Sequence, residues 1–278
     1  MKKLAIIGNP LAHSLSPVMQ NAALKHLGID CEYVAIELKR EVLEPFIANA
    51  RKTFFGFNVT APFKSAVIPF LDAVDDDCLL AQSVNTVVNK GGKETGKSTD
   101  GYGLEKALDE NFDVNPLEQN IFFIGCGGAA KAAAVHLLNK GIKQIVLANR
   151  TIEKVASFVD IIKLQYPKQQ IEYCTLDDHY LINKHLDKNP ILVQATSLGI
   201  KDDDPSPFPP ELFRKDLRVF DMVYKNTKFL RIAESKGCIC SNGLLMLLYQ
   251  GACSFEIWTD LEAPIEVMKE ALLTHLKK

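Results

Sequence analysis

A glycine-rich turn between an apolar segment and an alanine-rich segment most constrains the fold of this chain. Residues 121–124 are apolar, the motif Gly125-Cys-Gly-Gly-Ala-Ala follows directly, and residues 129–140 read as a helix. In a strand-turn-helix unit the first glycine makes the tight turn, the second lets the backbone approach a pyrophosphate, and a small sixth residue allows close packing. The helix N-terminus offers free N–H groups to the anion. The spacing therefore predicts a dinucleotide-binding βαβ unit.

The next predicted strand, residues 144–149, ends in Asn149-Arg150-Thr151, with Lys154 one helical turn beyond Arg150. A carboxylate at this strand end would receive the ribose hydroxyls of NAD and repel a 2′-phosphate, whereas a guanidinium binds phosphate in bidentate fashion. The pattern favours NADP. An alternative stays open, in which these charges belong to a solvated surface and Thr151 only caps a helix.

Short apolar runs alternate with helical patterns along the chain. The predicted strands are residues 4–8, 31–38, 57–60, 121–124, 144–149, 171–174, 191–195, 219–223 and 238–240. The predicted helices are residues 17–27, 41–52, 63–71, 102–111, 129–140, 244–255 and 265–276. Residues 84–89 and 94–98 flank Gly91-Gly92 and indicate a hairpin, although a glycine-rich linker gives the same signal. We expect an α/β protein with a parallel or mixed sheet followed by a doubly wound sheet.

Composition and charge exclude several classes of protein. With 47% hydrophobic and 24% charged residues, the chain of 278 residues has enough apolar material for real cores, which argues against disorder. A net charge of -2 without a long block of like charge argues against nucleic acid as the main partner. The longest apolar or glycine stretch, residues 121–130, is about half of the roughly 18 residues that a membrane helix needs. We expect no membrane partner and a cytoplasmic location.

The seven cysteines are scattered and odd in number, which favours reduced thiols over a disulfide framework. Cys238 and Cys240 form the only close pair. Their one-residue spacing lacks a second Cys/His pair to complete a zinc site, so we interpret them as strand residues and predict no metal.

Three polar clusters in the first half of the chain follow predicted strands or the hairpin, where ligands bind in open α/β sheets. They are Ser14-Leu-Ser16, the segment from Asn58 to Lys64, and Ser98-Thr99-Asp100-Gly101. Each also has a purely structural interpretation. Ser16 could cap a helix that has Pro17 at its first position and Gly28 after its end, Lys64 could be solvated, and Asp100 could cap the helix that follows.

Together these motifs and others further along the chain form an ordered set. It consists of Gly8-Asn-Pro10, His13-Ser14-Leu-Ser16-Pro17, Asn58-Val-Thr60-x-Pro62-x-Lys64, Val84-Asn85-Thr86, Thr99-Asp100-Gly101, Gly125-x-Gly-Gly, Asn149-Arg-Thr151, Ala195-Thr196-Ser197, Asp221-Met-Val-Tyr224 and Gly251-Ala with Phe255-x-x-Trp258. The set resembles the shikimate dehydrogenase family in content and in order, from residue 8 to residue 258. A chance match of this length is very improbable.

The resemblance implies two domains. Residues 1–101 and 244–278 would form an α/β substrate-binding catalytic domain completed by the C-terminal helices, and residues 102–243 a Rossmann-type NADP-binding domain. The implied reaction is the reversible, NADPH-dependent reduction of 3-dehydroshikimate to shikimate in aromatic amino acid biosynthesis. Either a monomer or a homodimer would be compatible with it.

The resemblance also implies the residues of the site. Ser14 and Ser16 would hold the substrate carboxylate, with Tyr224 nearby. The residues around the ring hydroxyls and the reacting carbon would be Thr60, Lys64, Asn85, Asp100 and Gln250. The cofactor-binding residues would be Gly125, Gly127, Gly128, Ala129, Asn149, Arg150, Thr151, Lys154, Thr196, Met222 and Gly243.

The chemistry of these residue types is consistent with that reaction. Hydride transfer to a ketone places negative charge on the carbonyl oxygen, which a lysine ammonium can stabilise and protonate. We therefore expect Lys64 to be the general acid/base. Asp100 would orient Lys64, accept a hydrogen bond from a substrate hydroxyl and favour the ammonium form by its opposite charge.

Two alternatives and several departures from the family pattern remain. One alternative is a quinate/shikimate dehydrogenase that uses NAD(P); Arg150 argues against it, and Ser16 argues weakly against it. The other is a non-catalytic NADPH-binding module, and the presence of both Lys64 and Asp100 argues against that. The departures are Gln20, where histidine is common, Ser83 for alanine, Ser98 for asparagine, and residues 225–229, which lack the expected prolines.

Overall fold

The computed structural model describes residues 2–188 and 190–277. The chain divides into two compact units, one formed by Met1–Gly103 with Leu247–Lys278 and the other by Leu104–Met246. Each unit has its own six-stranded sheet. The predicted α/β class with two sheet-containing domains is confirmed.

The first unit contains the N-terminal elements and the last two helices. Its strands are β1 (Lys2–Gly8), β2 (Cys31–Glu37), β3 (Phe54–Val59), β4 (Ala73–Val74), β5 (Thr86–Lys90) and β6 (Lys93–Lys97). Its helices are α1 (Ser16–His26), α2 (Leu43–Thr53), α3 (Asp76–Ala81), the start of α4 (Asp100–Phe112), most of α9 (Leu244–Thr259) and α10 (Ile265–Leu276).

The sheet of the first unit is mixed, with the order β2-β1-β3-β5-β6-β4. Strand β1 pairs in parallel with β2 and β3, whereas β5 is antiparallel to both β3 and β6. The carboxyl ends of β1, β3 and β6 therefore meet the beginning of β5 at one edge of the sheet. One face of the sheet packs on a core whose largest members are Phe57, Phe63, Ile7 and Ile47.

The second unit is a parallel sheet with flanking helices. Its strands are β7 (Asn120–Ile124), β8 (Gln144–Asn149), β9 (Gln170–Thr175), β10 (Ile191–Gln194), β11 (Arg218–Asp221) and β12 (Ile239–Asn242). Its further helices are α5 (Gly128–Asn139), α6 (Ile152–Gln165), α7 (His179–Leu186) and α8 (Lys228–Ser235). The strand order β12-β11-β10-β7-β8-β9 is that of a dinucleotide-binding Rossmann sheet, with the switch point between β7 and β10. The doubly wound prediction is confirmed.

One predicted helix and two possible caps are wrong, since Asp100, like Ser16, is the first residue of a helix and does not precede it. Residues 63–71 form turns and a short 3₁₀ helix, Ile68–Phe70, because Pro69 lacks an N–H and restricts the residue before it. The helical spacing came from Phe63 and Val67, which are both buried in the core. Ser16 lies inside α1, whose N-cap is Leu15 without a side-chain cap bond. Helix α3 was not predicted, since its six residues are too few to show a period.

The described residues contain neither a membrane-spanning helix nor a metal cluster. No helix within residues 2–188 and 190–277 is long and apolar enough to cross a membrane. In the same part of the chain, no group of three or more His, Cys, Asp or Glu side chains is placed to hold a metal ion. The seven cysteines are free, and burial raises the pKa of each thiol.

A buried carboxyl group lies on β6 in the first unit. Glu94 is 0% exposed, and its Oε2 is 3.2 Å from Arg51 Nε. Arg51 also pairs with Asp72 at 3.0 Å, and Asp72 Oδ2 accepts from the Glu94 backbone N–H at 2.8 Å. Burial raises the pKa of Glu94 from 4.5 to about 7, the Arg51 guanidinium opposes this rise, and the Asp72 carboxylate adds to it.

We predict that Glu94→Gln reduces the pH dependence of stability. Since native Glu94 keeps its proton up to about pH 7 and the unfolded chain only to about 4.5, the native state binds more protons between these values. The wild-type free energy of unfolding therefore falls as pH rises through this window, by roughly 1–3 kcal/mol from this group. In Glu94→Gln that contribution is absent.

Urea unfolding at several pH values between 4.5 and about 7 measures this effect. The control is Glu44→Gln, which changes an exposed glutamate on α2 of the same unit. An equal pH dependence in wild type and Glu94→Gln contradicts the prediction.

Candidate active site

Most of the predicted substrate residues of the first unit lie at the sheet edge where β1, β3 and β6 end and β5 begins. Ser14 and Ser16 follow β1, and Thr60 and Lys64 follow β3. The Thr60 backbone N–H donates to Ile7 O of β1 at 2.9 Å, and the Val84 N–H donates to Lys64 O at 2.8 Å. These main-chain bonds fix the segment that bears Thr60 and Lys64 against the neighbouring strands.

Lys64 and Asp100 form an ion pair at this edge. The distance from Lys64 Nζ to Asp100 Oδ2 is 2.5 Å, and the side chains are 19% and 7% exposed. Asp100 begins α4, where the helix dipole favours a negative charge. Lys64 is thus a partly accessible cation held by a mostly buried carboxylate, which is a geometry suited to proton donation.

Asn85 and Gln250 complete the same cluster. Asn85 Nδ2 lies 2.9 Å from Asp100 Oδ1 and 3.3 Å from Gln250 Oε1. Gln250 is on α9, 165 residues after Asn85, and its Nε2 donates to Leu247 O at 2.8 Å. The structure therefore brings Lys64, Asp100, Asn85 and Gln250 together, as the sequence interpretation predicted.

A buried polar layer supports this cluster. Asn58 Nδ2 is within hydrogen-bonding distance of Asn85 O, Thr86 Oγ1 and Ser254 Oγ, at 3.0, 3.2 and 3.1 Å. Asn58 Oδ1 accepts from the Tyr33 hydroxyl at 2.7 Å. Burial raises the pKa of Tyr33 well above its usual value, which keeps the phenol protonated as this donor requires.

Ser14, Ser16 and Thr60 are not hydrogen-bonded to the Lys64 cluster in the described chain. Ser16 is 4% exposed in the first turn of α1, and its hydroxyl faces the phenol of Tyr33. Ser14 and Thr60 are half-buried. The side chains of Ser14 and Thr60 are thus partly exposed near this sheet edge.

Two departures from the family pattern are buried, and one of them bonds to a neighbouring helix. Gln20 is fully buried in α1, and its Nε2 donates to Gly251 O of α9 at 2.8 Å. Ser83 is also fully buried, and its hydroxyl has no hydrogen-bond partner among the described residues.

In the second unit, the glycine turn follows β7 at the switch point. Gly125 has a φ of +102°, and a Cβ there would lie 2.8 Å from Thr196 Cγ2 in the segment after β10. Gly127 has a φ of -83° as the N-cap of α5, and a Cβ there would meet nothing within 4 Å. The turn thus leaves open space beside the free N–H groups of α5, as a pyrophosphate needs. Gly128 and Ala129 form the first residues of α5, and Ala130 is fully buried.

The residues after β8 include two exposed cations. Arg150 and Lys154 are exposed, and neither takes part in an ion pair with another described residue. Asn149 Nδ2 donates to Thr151 O at 2.9 Å, which shapes the turn between them. Thr151 is the N-cap of α6, but its side chain makes no cap bond.

A buried carboxylate organises the segments after β10 and β11. Asp221 accepts from Thr227 Oγ1 at 2.6 Å, from Val223 N at 2.9 Å and from Gln194 Nε2 at 3.1 Å. Burial raises the pKa of Asp221 to about 6, and these three donors oppose the rise. Gln194 Oε1 in turn accepts from the backbone N–H of Thr196.

The other predicted residues near this carboxylate are Met222, Gly243 and Tyr224. Met222 N donates to Gln194 O at 3.0 Å, and a Cβ at Gly243 would lie 2.1 Å from Met222 O. The structure thus gathers Gly125, Thr196, Met222 and Gly243 around the carboxyl ends of β7, β10, β11 and β12. Tyr224 follows β11 in this unit and is half-buried.

Family models match three parts of the chain. The shikimate dehydrogenase substrate binding domain matches residues 6–87, the shikimate / quinate 5-dehydrogenase model residues 107–199, and the shikimate 5'-dehydrogenase C-terminal domain residues 243–273. A shikimate dehydrogenase (NADP(+)) from Pyrococcus furiosus is 39% identical over 279 residues, covering 100% of this chain and 97% of that protein. The chain belongs to the shikimate dehydrogenase family. The predicted resemblance is confirmed.

Solved structures agree with this membership. A shikimate dehydrogenase crystallised in complex with NADP+ has a TM-score of 0.89 and 36% identity, over 100% of this chain and 96% of that one. Shikimate 5-dehydrogenase from Thermus thermophilus, in complex with NADP(H) and shikimate, has a TM-score of 0.86 and 33% identity over 99% of both chains.

The sequence interpretation missed five residues of the buried layer below the Lys64 cluster, namely Tyr33, Asn58, Thr86, Thr99 and Ser254. Asn58, Thr86 and Thr99 stand inside the sequence motifs of the family, beside the residues to which those motifs assign a role. Tyr33 and Ser254 have no local signal, because each joins the layer only through contacts between distant segments.

We predict that Gly127→Ala weakens NADPH binding without destabilising the protein. The φ of Gly127 suits any residue, and the added methyl group meets no protein atom within 4 Å. It projects instead where the dinucleotide backbone approaches, so we expect a Kd about tenfold higher or more.

Titration of NADPH by fluorescence and thermal melting without cofactor measure the two quantities. Gly125→Ala is the contrasting variant, since its positive φ and the Thr196 contact should lower the Tm as well. Normal NADPH affinity in Gly127→Ala contradicts the prediction.

Proposed function

We propose that this chain catalyses the reversible, NADPH-dependent reduction of 3-dehydroshikimate to shikimate. The observation that carries the proposal is the Lys64–Asp100 ion pair, joined through Asn85 to Gln250 at one sheet edge. Family membership supplies the substrate class. An exposed Arg150 after β8 favours NADPH as the reductant and opposes an NAD-dependent quinate enzyme.

Lys64 acts as the general acid in this proposal. When bound, NADPH supplies the hydride, and the substrate carbonyl oxygen becomes negative as the hydride arrives. The Lys64 ammonium stabilises that charge and donates its proton to the oxygen. In the reverse direction the Lys64 amine accepts the proton of the hydroxyl. Asp100 holds Nζ in place through Oδ2 and accepts from a substrate hydroxyl.

The remaining polar residues orient the substrate. Ser14 and Ser16 donate to its carboxylate, and Tyr224 contributes to the same group. Thr60 and Gln250 bind the ring hydroxyls, and Asn85 lies beside them with its amide bonded to Asp100. Gln250 can release its bond to Leu247 O for this purpose, since the backbone carbonyl then still has a partner in the helix.

The cofactor is held by residues of the second unit. The N–H groups of Gly127, Gly128 and Ala129 face the pyrophosphate, and Arg150, Thr151 and Lys154 bind the 2′-phosphate, with Asn149 shaping the turn. Thr196, Met222 and Gly243 complete the cofactor site at the carboxyl ends of the strands. A cytoplasmic location and a monomeric or homodimeric state remain part of the proposal.

The decisive experiment follows NADPH oxidation by the purified protein through the absorbance of the reduced nicotinamide. The substrates are 3-dehydroshikimate with NADPH, the same substrate with NADH, and quinate with each oxidised cofactor. Rapid turnover selective for 3-dehydroshikimate and NADPH supports the proposal. Preference for quinate, or tight NADPH binding without turnover, contradicts it.

We predict that Lys64→Ala lowers kcat by about 10²–10⁴, the usual contribution of a positioned proton donor. Lys97→Ala is the matched control, because Lys97 also pairs with an aspartate of the first unit, Asp75, at 2.8 Å. Steady-state kinetics with 3-dehydroshikimate measure both variants. A Lys64→Ala enzyme with near-normal kcat rules out the acid/base role.

We predict that Arg150→Ala raises the KM for NADPH by roughly tenfold or more and that for NADH much less. The 2′-phosphate is absent from NADH, so only NADPH loses a charge-assisted bond. The two KM values, measured on the same enzyme preparation, serve as each other's control. Equal changes for both cofactors would remove the argument for 2′-phosphate recognition.

A further inference from the structure

Three hydroxyl groups lie together beneath the Lys64–Asp100 ion pair, and we call Thr86, Thr99 and Ser254 the hydroxyl triad. Thr86 Oγ1 is 2.8 Å from Ser254 Oγ and 3.5 Å from Thr99 Oγ1, and Thr99 Oγ1 is 3.2 Å from Ser254 Oγ. The three residues are 0–1% exposed. Since bulk water cannot reach them, each hydroxyl has to find its partners within the protein.

The side-chain amide of Asn85 has a single orientation that suits its neighbours. The backbone N–H of Thr99, which can only donate, is 2.8 Å from the amide atom Oδ1. That atom is therefore the oxygen. The nitrogen then faces the opposite way, 2.9 Å from Thr99 Oγ1 and 2.9 Å from Asp100 Oδ1. Main-chain geometry thus makes Asn85 a donor to Asp100.

Thr86 provides the second donor to the same amide oxygen. Its Oγ1 is 2.9 Å from Asn85 Oδ1, and since this oxygen only accepts, the hydroxyl proton comes from Thr86. Asn58 Nδ2 approaches Thr86 Oγ1 at 3.2 Å from the other side. The Asn85 oxygen is therefore held by one backbone donor and one side-chain donor.

Ser254 of α9 contacts the Thr86 hydroxyl and so links it to this helix. Its Oγ lies 2.8 Å from Thr86 Oγ1 and 2.9 Å from Gln250 O, one turn earlier in α9. The Ser254 proton goes to the backbone carbonyl of Gln250, and the Thr86 proton goes to Asn85 Oδ1. Strand β5 and helix α9 are thereby joined directly behind Asn85 and Gln250.

We propose that Thr86 is a positioning residue for the reaction: its hydroxyl, seated on Ser254, holds the Asn85 amide so that Asp100 presents Oδ2 to Lys64. The inference rests on the proposed function, in which Lys64 is the proton donor. Thr86 itself makes no hydrogen bond to Lys64 or Asp100 in the described chain, so it acts through Asn85.

Two substitutions of Thr86 separate the effect of its hydroxyl group from the effect of the shape of its side chain. Thr86→Val keeps the branched side chain without the hydroxyl, and Thr86→Ser keeps the hydroxyl without the methyl group. We expect Thr86→Val to lower kcat for 3-dehydroshikimate reduction about 5- to 30-fold, the effect of one buried hydrogen bond. The KM for NADPH should change less than about twofold, and Thr86→Ser should recover kcat to within about threefold of wild type.

Ser83→Ala is the matched control, because it removes another fully buried hydroxyl, two residues before Asn85, that has no partner among the described residues. We expect its kcat to equal that of wild type. Should Thr86→Val fail to fold, Ser254→Ala makes the same test, since it removes the group that seats Thr86. Its kcat should fall in the same direction.

A second measurement is independent of turnover. The Asn85 side-chain amide protons, assigned by their absence from the NMR spectrum of Asn85→Ser, should exchange slowly in wild type and Ser83→Ala, and faster in Thr86→Val. Normal kcat or unchanged exchange in Thr86→Val overturns the proposal, as does a Thr86→Ser enzyme as slow as Thr86→Val. A wild type without turnover, together with faster exchange in Thr86→Val, contradicts the proposed function alone.

Discussion

Placing a lysine ammonium against an aspartate carboxylate below the protein surface costs solvation energy that the surrounding structure has to offset. Asp100 is 7% exposed at its side chain, so its charge depends on bonds from the protein. One oxygen faces Lys64 and the other faces Asn85, while the start of α4 adds a favourable dipole. The Asn85 amide is itself held by buried donors. The ion pair is therefore supported by Asn85 and, behind it, by a layer of neutral polar groups.

The mixed sheet of the first unit is what allows these groups to meet. In an all-parallel sheet, the beginning of β5 would lie at the opposite edge from the end of β3. Because β5 runs antiparallel, Asn85 at its start lies beside the segment after β3, which bears Lys64. The hairpin to β6 then returns the chain to the same edge at Asp100. The hairpin of β5 and β6 thus places Asn85 and Asp100 beside Lys64, which follows β3.

The sequence predicted those parts of the molecule whose conformation depends on residues close together in the chain. The turn at Gly125 follows from the backbone demands of a pyrophosphate site, and the hairpin from Gly91-Gly92. Sequence patterns were misleading at two places. Phe63 and Val67 have the spacing of a buried helix face, but they lie in a segment of turns. Ser16 was a candidate N-cap, but it lies inside α1. The family resemblance, not periodicity, led to Gln250. Ser254 could not be found from sequence, because a serine inside an apolar helix carries no sign of which distant hydroxyl it will meet.

Burial of the cysteines has a consequence for the redox chemistry of the protein. Thiolates, not thiols, react with peroxides and disulfides, and burial raises the pKa of all seven cysteines, to about 12 for Cys78, Cys174 and Cys240. Cys126 stands within the glycine turn, and burial raises its pKa too, against the opposing effect of the Lys131 charge. A chain with seven cysteines thus presents little thiolate at neutral pH, and Cys126 beside the start of α5 shares this low reactivity.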